Sequence, residues 1–378
     1  NETTAIGTTL SGNTATVLAG RDINLKGGNV VSSLGTILAA GGNVNVEAAA
    51  NTAVESHFRD EKKSGLFSNG GLSITLGSQQ QSVDNRGSST SAAASTIGST
   101  QGSIDIQAVK TYTQTGSDVL APQGNIDISA QKIDITEAQN TSRNSTETKF
   151  RQSGLTVALT SPVISAIQTA SQMKEAAGQT RDGRMQALAG ATAALAAKNA
   201  YDAVQANPGQ AGGVNLSISI GSSQSQSSSV QTASTAAGST VAAGGNVNLA
   251  ATSAPSPLAG EGRGEGDITI QGSQVKAGNN ATLNADGDIN LLAARNTAEQ
   301  HGANSSSGGS IGVSFGTGGF GVTASASKGR GNADGSDVTW TNTRVEAGNR
   351  VAMTSGGDAT LKGAVVAAPR ITANVGGN

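Results

Sequence analysis

Residues 20–46 read GRDINLKGGNVVSSLGTILAAGGNVNV, and this stretch decides the fold. It opens with Asp22-Ile23-Asn24-Leu25, two residues after Gly20, and closes with Asn43-Val44-Asn45-Val46, directly after Gly42; both are polar–aliphatic alternations. Alternation with a period of two and β-branched residues marks a strand with one aliphatic and one polar face. The spacing adds a second period. Ile23, Val30, Ile37 and Val44 follow one another in steps of 7, and the strong motif returns after 21. Three short strands per coil, about 21 residues in all, is the geometry this predicts.

The same alternation recurs outward along the chain, at Ser103–Ile106, Asn125–Ile128, Asn246–Leu249, Asp267–Ile270 and Asp288–Leu291. A period of 7 also suits a coiled coil. Gly41-Gly42, Gly244-Gly245 and Gly356-Gly357 argue against one, because each glycine costs a helix about 1 kcal/mol relative to alanine. One coil cannot bury its aliphatic face alone, so coils must stack, about 4.8 Å apart. The expected class is all-β: a three-sided parallel solenoid with Val, Ile and Leu in inward columns. Asn24, Asn45, Asn248 and Asn290 share a motif position and are expected to stack in hydrogen-bonded ladders.

Composition agrees with a repetitive fold. Gly is 52 of 378 residues, aromatics are 2% and charged residues 13%, against roughly 25% charged in an average domain. The formal net charge of -2 gives no electrostatic case for nucleic acid. There is no cysteine. A solenoid bonded from coil to coil needs no disulfide. The chain starts at Asn1 with no apolar leader or bilayer-length apolar run and is read as an interior stretch of something larger.

A longer unit overlies the coils. Ala-x-Asn-Thr occurs at Ala49–Thr52, Ala138–Thr141 and Ala294–Thr297. Each copy is followed by a polar stretch and then by an alternating run: Leu72–Leu76, Gly154–Val157 with Val214–Ile218, and Ile311–Phe315. Ser-rich arms return at Gln79–Ser95 and Ser222–Ser234. One long β-hairpin standing off the shaft per module is predicted. Ser161–Gln205 is rich in Ala, Gln, Lys and Met, with Pro162 at a first helical turn, Asp182-Gly183 as a turn and a modest Leu188, Leu195, Val204 stripe; a helical hairpin is expected there. Ala254–Gly266 breaks the pattern as a loop. The organisation is then coils with a first hairpin over 1–160, a helical insertion over 161–207, and coils with further hairpins over 208–378, all one solenoid.

No constellation points to catalysis. His57 and His301 are the two histidines, 244 residues apart, so no metal site, cofactor site or nucleophilic triad is expected. Gly316–Gly321 matches G-x-G-x-x-G, but β sequence on both sides makes it a hairpin tip rather than a dinucleotide loop. Asp286-Gly287-Asp288 lacks the repeat of a calcium β-roll. Trp340, Tyr112, Tyr201 and five Phe leave few platforms for a sugar, which disfavours a solenoid glycan-active enzyme.

The blocks Val17–Leu25 and Gly272–Asn279, with Ala293–Thr297, resemble the haemagglutinin repeats of filamentous haemagglutinins and of contact-dependent growth inhibition proteins. The resemblance spans most of the chain outside Ser161–Gln205 and Ala254–Gly266. It implies a two-partner-secretion exoprotein, exported by an outer-membrane transporter and folding at the bacterial surface as a right-handed β-helix. Such proteins act in adhesion or carry a toxin to a target cell, and here the repeats would serve as shaft, spacer or toxin-passage region. A monomer is expected; a trimeric surface adhesin head is the competing architecture.

Overall fold

A computed structural model describes residues 1–68, 72–160, 215–252, 266–316 and 319–378, with scattered helical positions between 170 and 201. The body is a three-sided parallel tube. On the third face of each coil, Ile23, Val44, Tyr112, Ile133, Ile268, Ile289 and Ala359 lie in one column. The first face aligns Val30, Ile97, Val119, Val241, Val275 and Val345. The second aligns Thr36, Ile104, Ile126, Val247, Ala281 and Val351. These columns form the core, and most of their members are fully buried.

The step of 21 holds within coils: Ile23 pairs with Val44 and Ile268 with Ile289. The inner step of 7 does not hold everywhere. Ile37 points outward at 42% exposure, while Thr36 and Leu38 point in. The strand Asn29–Ala40 runs through the corner between the first and second faces without a break and spans both, so the inward parity resets between Val30 and Thr36. Val247 and Ile268, 21 apart in sequence, stand on different faces. That spacing is not a coil.

Three hairpins leave the tube, always at the corner between the third and first faces. The first is Ala49–Phe67 with Ser73–Ala93, the second Ala138–Thr160 with Asn215–Ala237, the third Ala294–Gly316 with Gly319–Thr341. Every Ala-x-Asn-Thr begins an outgoing strand. In the intervening coils the corner is a plain turn, with Gly27, Gly116, Gly272 and Gly363 at positive φ. A Cβ on Gly116 would stand 2.4 Å from the Cβ of Ala138 at the hairpin root one coil away. A left-handed turn that must also clear its neighbour requires glycine.

The hairpins stand off the shaft as the sequence predicts, one per module. They pair edge to edge into one antiparallel sheet of six long strands, a fin. At each inner seam the Asn of the next hairpin root accepts a backbone N–H of the previous return strand: Asn140 from Ala92 and Asn296 from Ala236, both at 2.7 Å. Asn51 does the same for Ala5 at 2.8 Å. The described positions of the insertion, among them Lys174 and Ala191–Leu195, are helical. Pro162, Asp182-Gly183, Leu188, Val204 and residues 254–265 lie outside the described residues.

Polar ladders hold each corner. At the hairpin corner the N–H groups of Ser95, Ser117 and Ser239 donate to the hydroxyls of Ser117, Ser239 and Ser273 at 3.2, 3.2 and 3.0 Å. All four serines are buried, as is Thr343 at the next level. Their hydroxyls return to carbonyls, Ser239 to Thr136 at 2.7 Å. At the second corner Asn125, Asn246, Asn280 and Asn349 are linked side chain to next residue. The third corner links Asp267, Asp288, Asp358 and Asn378 in the same way. The expected ladder at the strand position is confined to Asn45 and Asn24, 2.7 Å apart. Asn248 lies on the second face, and Asn290 has threonines, Thr269 and Thr360, as its neighbours.

Inside the tube, Tyr112 replaces an aliphatic residue and donates to Gln114 Oε1 at 2.9 Å. Gln114 in turn donates to Ser117 O at 2.6 Å and Thr240 O at 3.1 Å. Burial raises the Tyr112 pKa above the ordinary phenol range. Its contribution to stability is therefore present below that range and disappears as the pH climbs beyond it. In a Tyr201→Phe background, tyrosinate absorbance should appear only together with loss of the far-UV β signal; ionisation of an intact tube would contradict this. Ser239→Ala strands the Ser117 N–H and leaves the Thr136 carbonyl with the Gly116 N–H alone; it should cost about 1–3 kcal/mol in urea unfolding. The exposed Ser222→Ala should stay within roughly 0.5 kcal/mol of the parent.

Candidate functional site

Cross-strand partners in a sheet share a face, and residues two apart along a strand return to it. On this basis the alternating runs found one by one in the sequence lie side by side at the distal end of the fin. Leu66, Leu76, Leu155, Ile220 and Ile311 form one row. Ile74, Val157, Ile218, Val313 and Val322 form the next. Leu159, Leu216, Phe315 and Phe320 form the third, closest to the tip. The Phe315 and Phe320 rings are 5.3 Å apart between centroids.

The side chains of this face are exposed. Leu66 is 75% exposed, Ile311 66% and Val322 70%. Six strands about 4.8 Å apart and three rows about 6.8 Å apart give a footprint on the order of 500 Å². Monomers rarely leave patches larger than about 300–600 Å² open without a function. The opposite face at the same level carries Thr75, Thr156, Ser219 and Gly312, so the apolar character is one-sided.

Toward the tube the same face becomes cationic. Lys62, Arg151 and Lys328 stand four residues from the Leu66 row, and Lys149 and Arg330 six. Gln80, Gln224, Ser307 and Gln226 separate them across the strands. Four residues of extended chain place this belt about 13 Å from the first apolar row. Lys149 pairs with Glu147 at 2.8 Å and Lys62 with Asp60 at 3.9 Å. Arg151, Lys328 and Arg330 have no carboxylate partner among the described residues. Glu61, on the other face, has its pKa lowered by a hydrogen bond and charge from Arg59.

The sequence reading missed this belt. Its signal is the fixed offset of each cation from its own hairpin's apolar run, which has meaning only once the register is known. The residues that reading singled out are not brought together. His57 and His301 lie on opposite faces of the fin. His301 Nδ1 is 3.0 Å from Asp334 Oδ1, and both are exposed. Gly316 pairs with Gly319 at the end of the third hairpin. Asp288 Oδ1 accepts the N–H of Asp358 in the corner ladder. Among the described residues, no group of three or more His, Cys, Asp or Glu is placed to hold a metal. Tyr112 is in the core, and Trp340 is at the root of the third hairpin.

Comparison with known proteins places this architecture. The family model described as hemagglutinin repeat matches residues 1–152 and 220–378. The unmatched middle contains the insertion and the strand ends that flank it. The chain is 38% identical over 386 residues to a protein named deoxyribonuclease CdiA from Dickeya dadantii, covering 100% of this chain and 11% of that protein. It is 40% identical over 383 residues to toxin CdiA from Escherichia coli, covering 98% and 12%. A deoxyribonuclease CdiA from Yersinia pseudotuberculosis is 37% identical over 365 residues, covering 96% and 33%. The chain thus spans about a tenth of the first two relatives and a third of the last. No solved structure matches. Coils stacked in columns, hairpins at a fixed corner and the matched repeat over both halves together show that the chain belongs to the hemagglutinin-repeat family.

Proposed function

We propose that these residues are a rigid, non-catalytic segment of a secreted cell-surface adhesin or contact-dependent toxin-delivery protein, and that the fin is their working surface. The relatives' names support the delivery context: they are toxins and nucleases, and this chain aligns with about a tenth of their length. On this reading the whole protein leaves the cell through an outer-membrane transporter and acts at the bacterial surface. The nuclease or other toxin activity belongs to other parts of such proteins. The tube sets distance and stiffness, and the fin faces the envelope of the target cell.

One observation carries the assignment of the fin: three hairpins distant in sequence place their apolar ends on one face, with a cationic belt behind them. Apolar rows matched to acyl chains, with Lys and Arg level with anionic headgroups, are the chemistry of a lipid-surface contact. Vesicles with anionic lipid should bind the chain, and binding should weaken as salt rises. At roughly 1 kcal/mol per cation, Arg151→Ser, Lys328→Ser and Arg330→Ser together should weaken binding on the order of 100-fold. Ile220→Asp with Ile311→Asp should abolish it while the far-UV spectrum is kept. Salt-independent binding, or binding by the double aspartate variant, would refute the lipid-facing role. In a full-length relative, the aspartate pair should block delivery to target cells without blocking surface display. A panel of polysaccharides should show no turnover; any turnover would reopen an enzymatic reading.

A further inference from the structure

The two inner seams of the fin, where one hairpin pairs with the next, carry glycine at the level between the cationic belt and the apolar rows. Gly65, Gly77, Gly154 and Gly221 are cross-strand partners in one row. Each is the immediate chain neighbour, on the tube side, of Leu66, Leu76, Leu155 or Ile220, so the row lies on the opposite, polar face. Gly312, next to Ile311, lies on that polar face too.

At the first seam a Cβ on Gly77 would stand 2.1 Å from the carbonyl oxygen of Ser153 and 2.6 Å from Cα of Gly154. A Cβ on Gly154 would stand 2.6 Å from the oxygen of Leu76 and 2.8 Å from Cα of Gly77. At the second seam a Cβ on Gly221 would meet the oxygen of Gly309 at 2.6 Å, and one on Gly312 would meet that of Ile218 at 2.7 Å. Opposed Cβ atoms of an ordinary sheet keep about 4.5–5.5 Å apart. Nearer the tube the first seam is ordinary: a Cβ on Gly87 would touch only the Asn144 side-chain oxygen at 3.2 Å and Glu55 Cβ at 4.0 Å.

At both distal seams, therefore, the side-chain directions of the polar face converge on the neighbouring strand. Directions that converge on one face of a sheet diverge on the other. The distal fin bends toward its polar face at each seam, and glycine is what admits the bend. The burial pattern agrees. On the polar side Thr75 is fully buried, its hydroxyl 2.9 Å from that of Thr156, and Gly312 is buried. On the apolar side Leu76 and Ile220 are more than half exposed.

We propose that Gly77, Gly154, Gly221 and Gly312 are positioning residues that hold the apolar face convex, and that the convexity reserves this face for a deformable lipid surface rather than for another sheet. The inference rests on the lipid-facing role of the fin. Two flat faces of roughly 500 Å² each would bury about 1,000 Å² on stacking, the lower limit of a stable interface. Two convex faces meet along a line and fall short of it. A bilayer yields around a convex face, and its acyl chains fill the space between diverging side chains. The bend belongs to the inner seams and does not depend on how many hairpins flank them.

The chain has no cysteine, so pairs of spin labels report the bend without lipid. Leu66 and Ala324 end one row of the apolar face, and Phe67 and Thr323 end the adjacent row of the polar face. Labels at Leu66→Cys with Ala324→Cys should lie farther apart than labels at Phe67→Cys with Thr323→Cys. Gly77→Ala with Gly221→Ala, one at each seam, should shrink that difference, whereas Gly87→Ala should leave it unchanged. The flattened variant should also shift from monomer toward dimer in sedimentation equilibrium. Adding Ile220→Asp with Ile311→Asp should restore the monomer, which it would not do for a misfolded chain. Equal label distances in the parent, distances unmoved by the seam alanines, or no association gained on flattening would each overturn the proposal. A parent that keeps the label difference but binds no anionic vesicle would sink the lipid reading and leave the curvature standing; one that binds vesicles with equal label distances would do the reverse.

Discussion

The spacing of hydrogen-bonded strands, about 4.8 Å, governs both parts of this molecule. Coils of the tube stack at that distance, and strands of the fin pair at that distance. A hairpin contributes two strands, so it advances the fin by two spacings. It must therefore be issued once every two coils if the fin is to remain one sheet. This is the observed alternation: hairpins after Glu47, Thr136 and Leu292, and plain glycine turns at Gly27, Gly116, Gly272 and Gly363 between them. A hairpin in every coil would crowd the sheet, and one in every third would leave gaps.

That arrangement concentrates strain and unpaired backbone at a single corner, and the corner chemistry answers it. The chain must either turn sharply or depart for up to a hundred residues and return to the same level. Buried serines at both kinds of junction supply a donor and an acceptor each, so the backbone stays satisfied along the tube axis. The other two corners are shallower and more exposed, and stacked Asn or Asp side chains serve there. Glycine and alanine meet at the hairpin corner for steric reasons, as Gly116 and Ala138 show. The polar pair Tyr112–Gln114 interrupts an otherwise aliphatic column, and it is tolerated because each of its polar atoms is bonded.

The fin turns a one-dimensional repeat into a two-dimensional surface. Its strands are polar and neutral over most of their length, the composition expected of a sheet wet on both sides. Its properties change only where the hairpins end. There one face is apolar, and a belt of cations lies behind it. These features sit far from the tube, so the shaft can hold them at a distance without altering its own packing.

The sequence determined the strand type, the coil length and the hairpin positions, because each is written in local alternation or glycine placement. Ile23 with Val44 and the three Ala-x-Asn-Thr roots were legible for that reason. Inward parity at Ile37 and the column shared by Asn24 and Asn45 but not Asn248 were not, since a corner passed without a break shifts the phase, and one motif can serve two different faces. The union of the hairpins, the apolar face and the belt of Lys62, Arg151 and Lys328 belong to tertiary structure alone. They join residues far apart in sequence, 256 positions for Leu66 and Val322, and only the pairing register decides which side of the sheet each occupies.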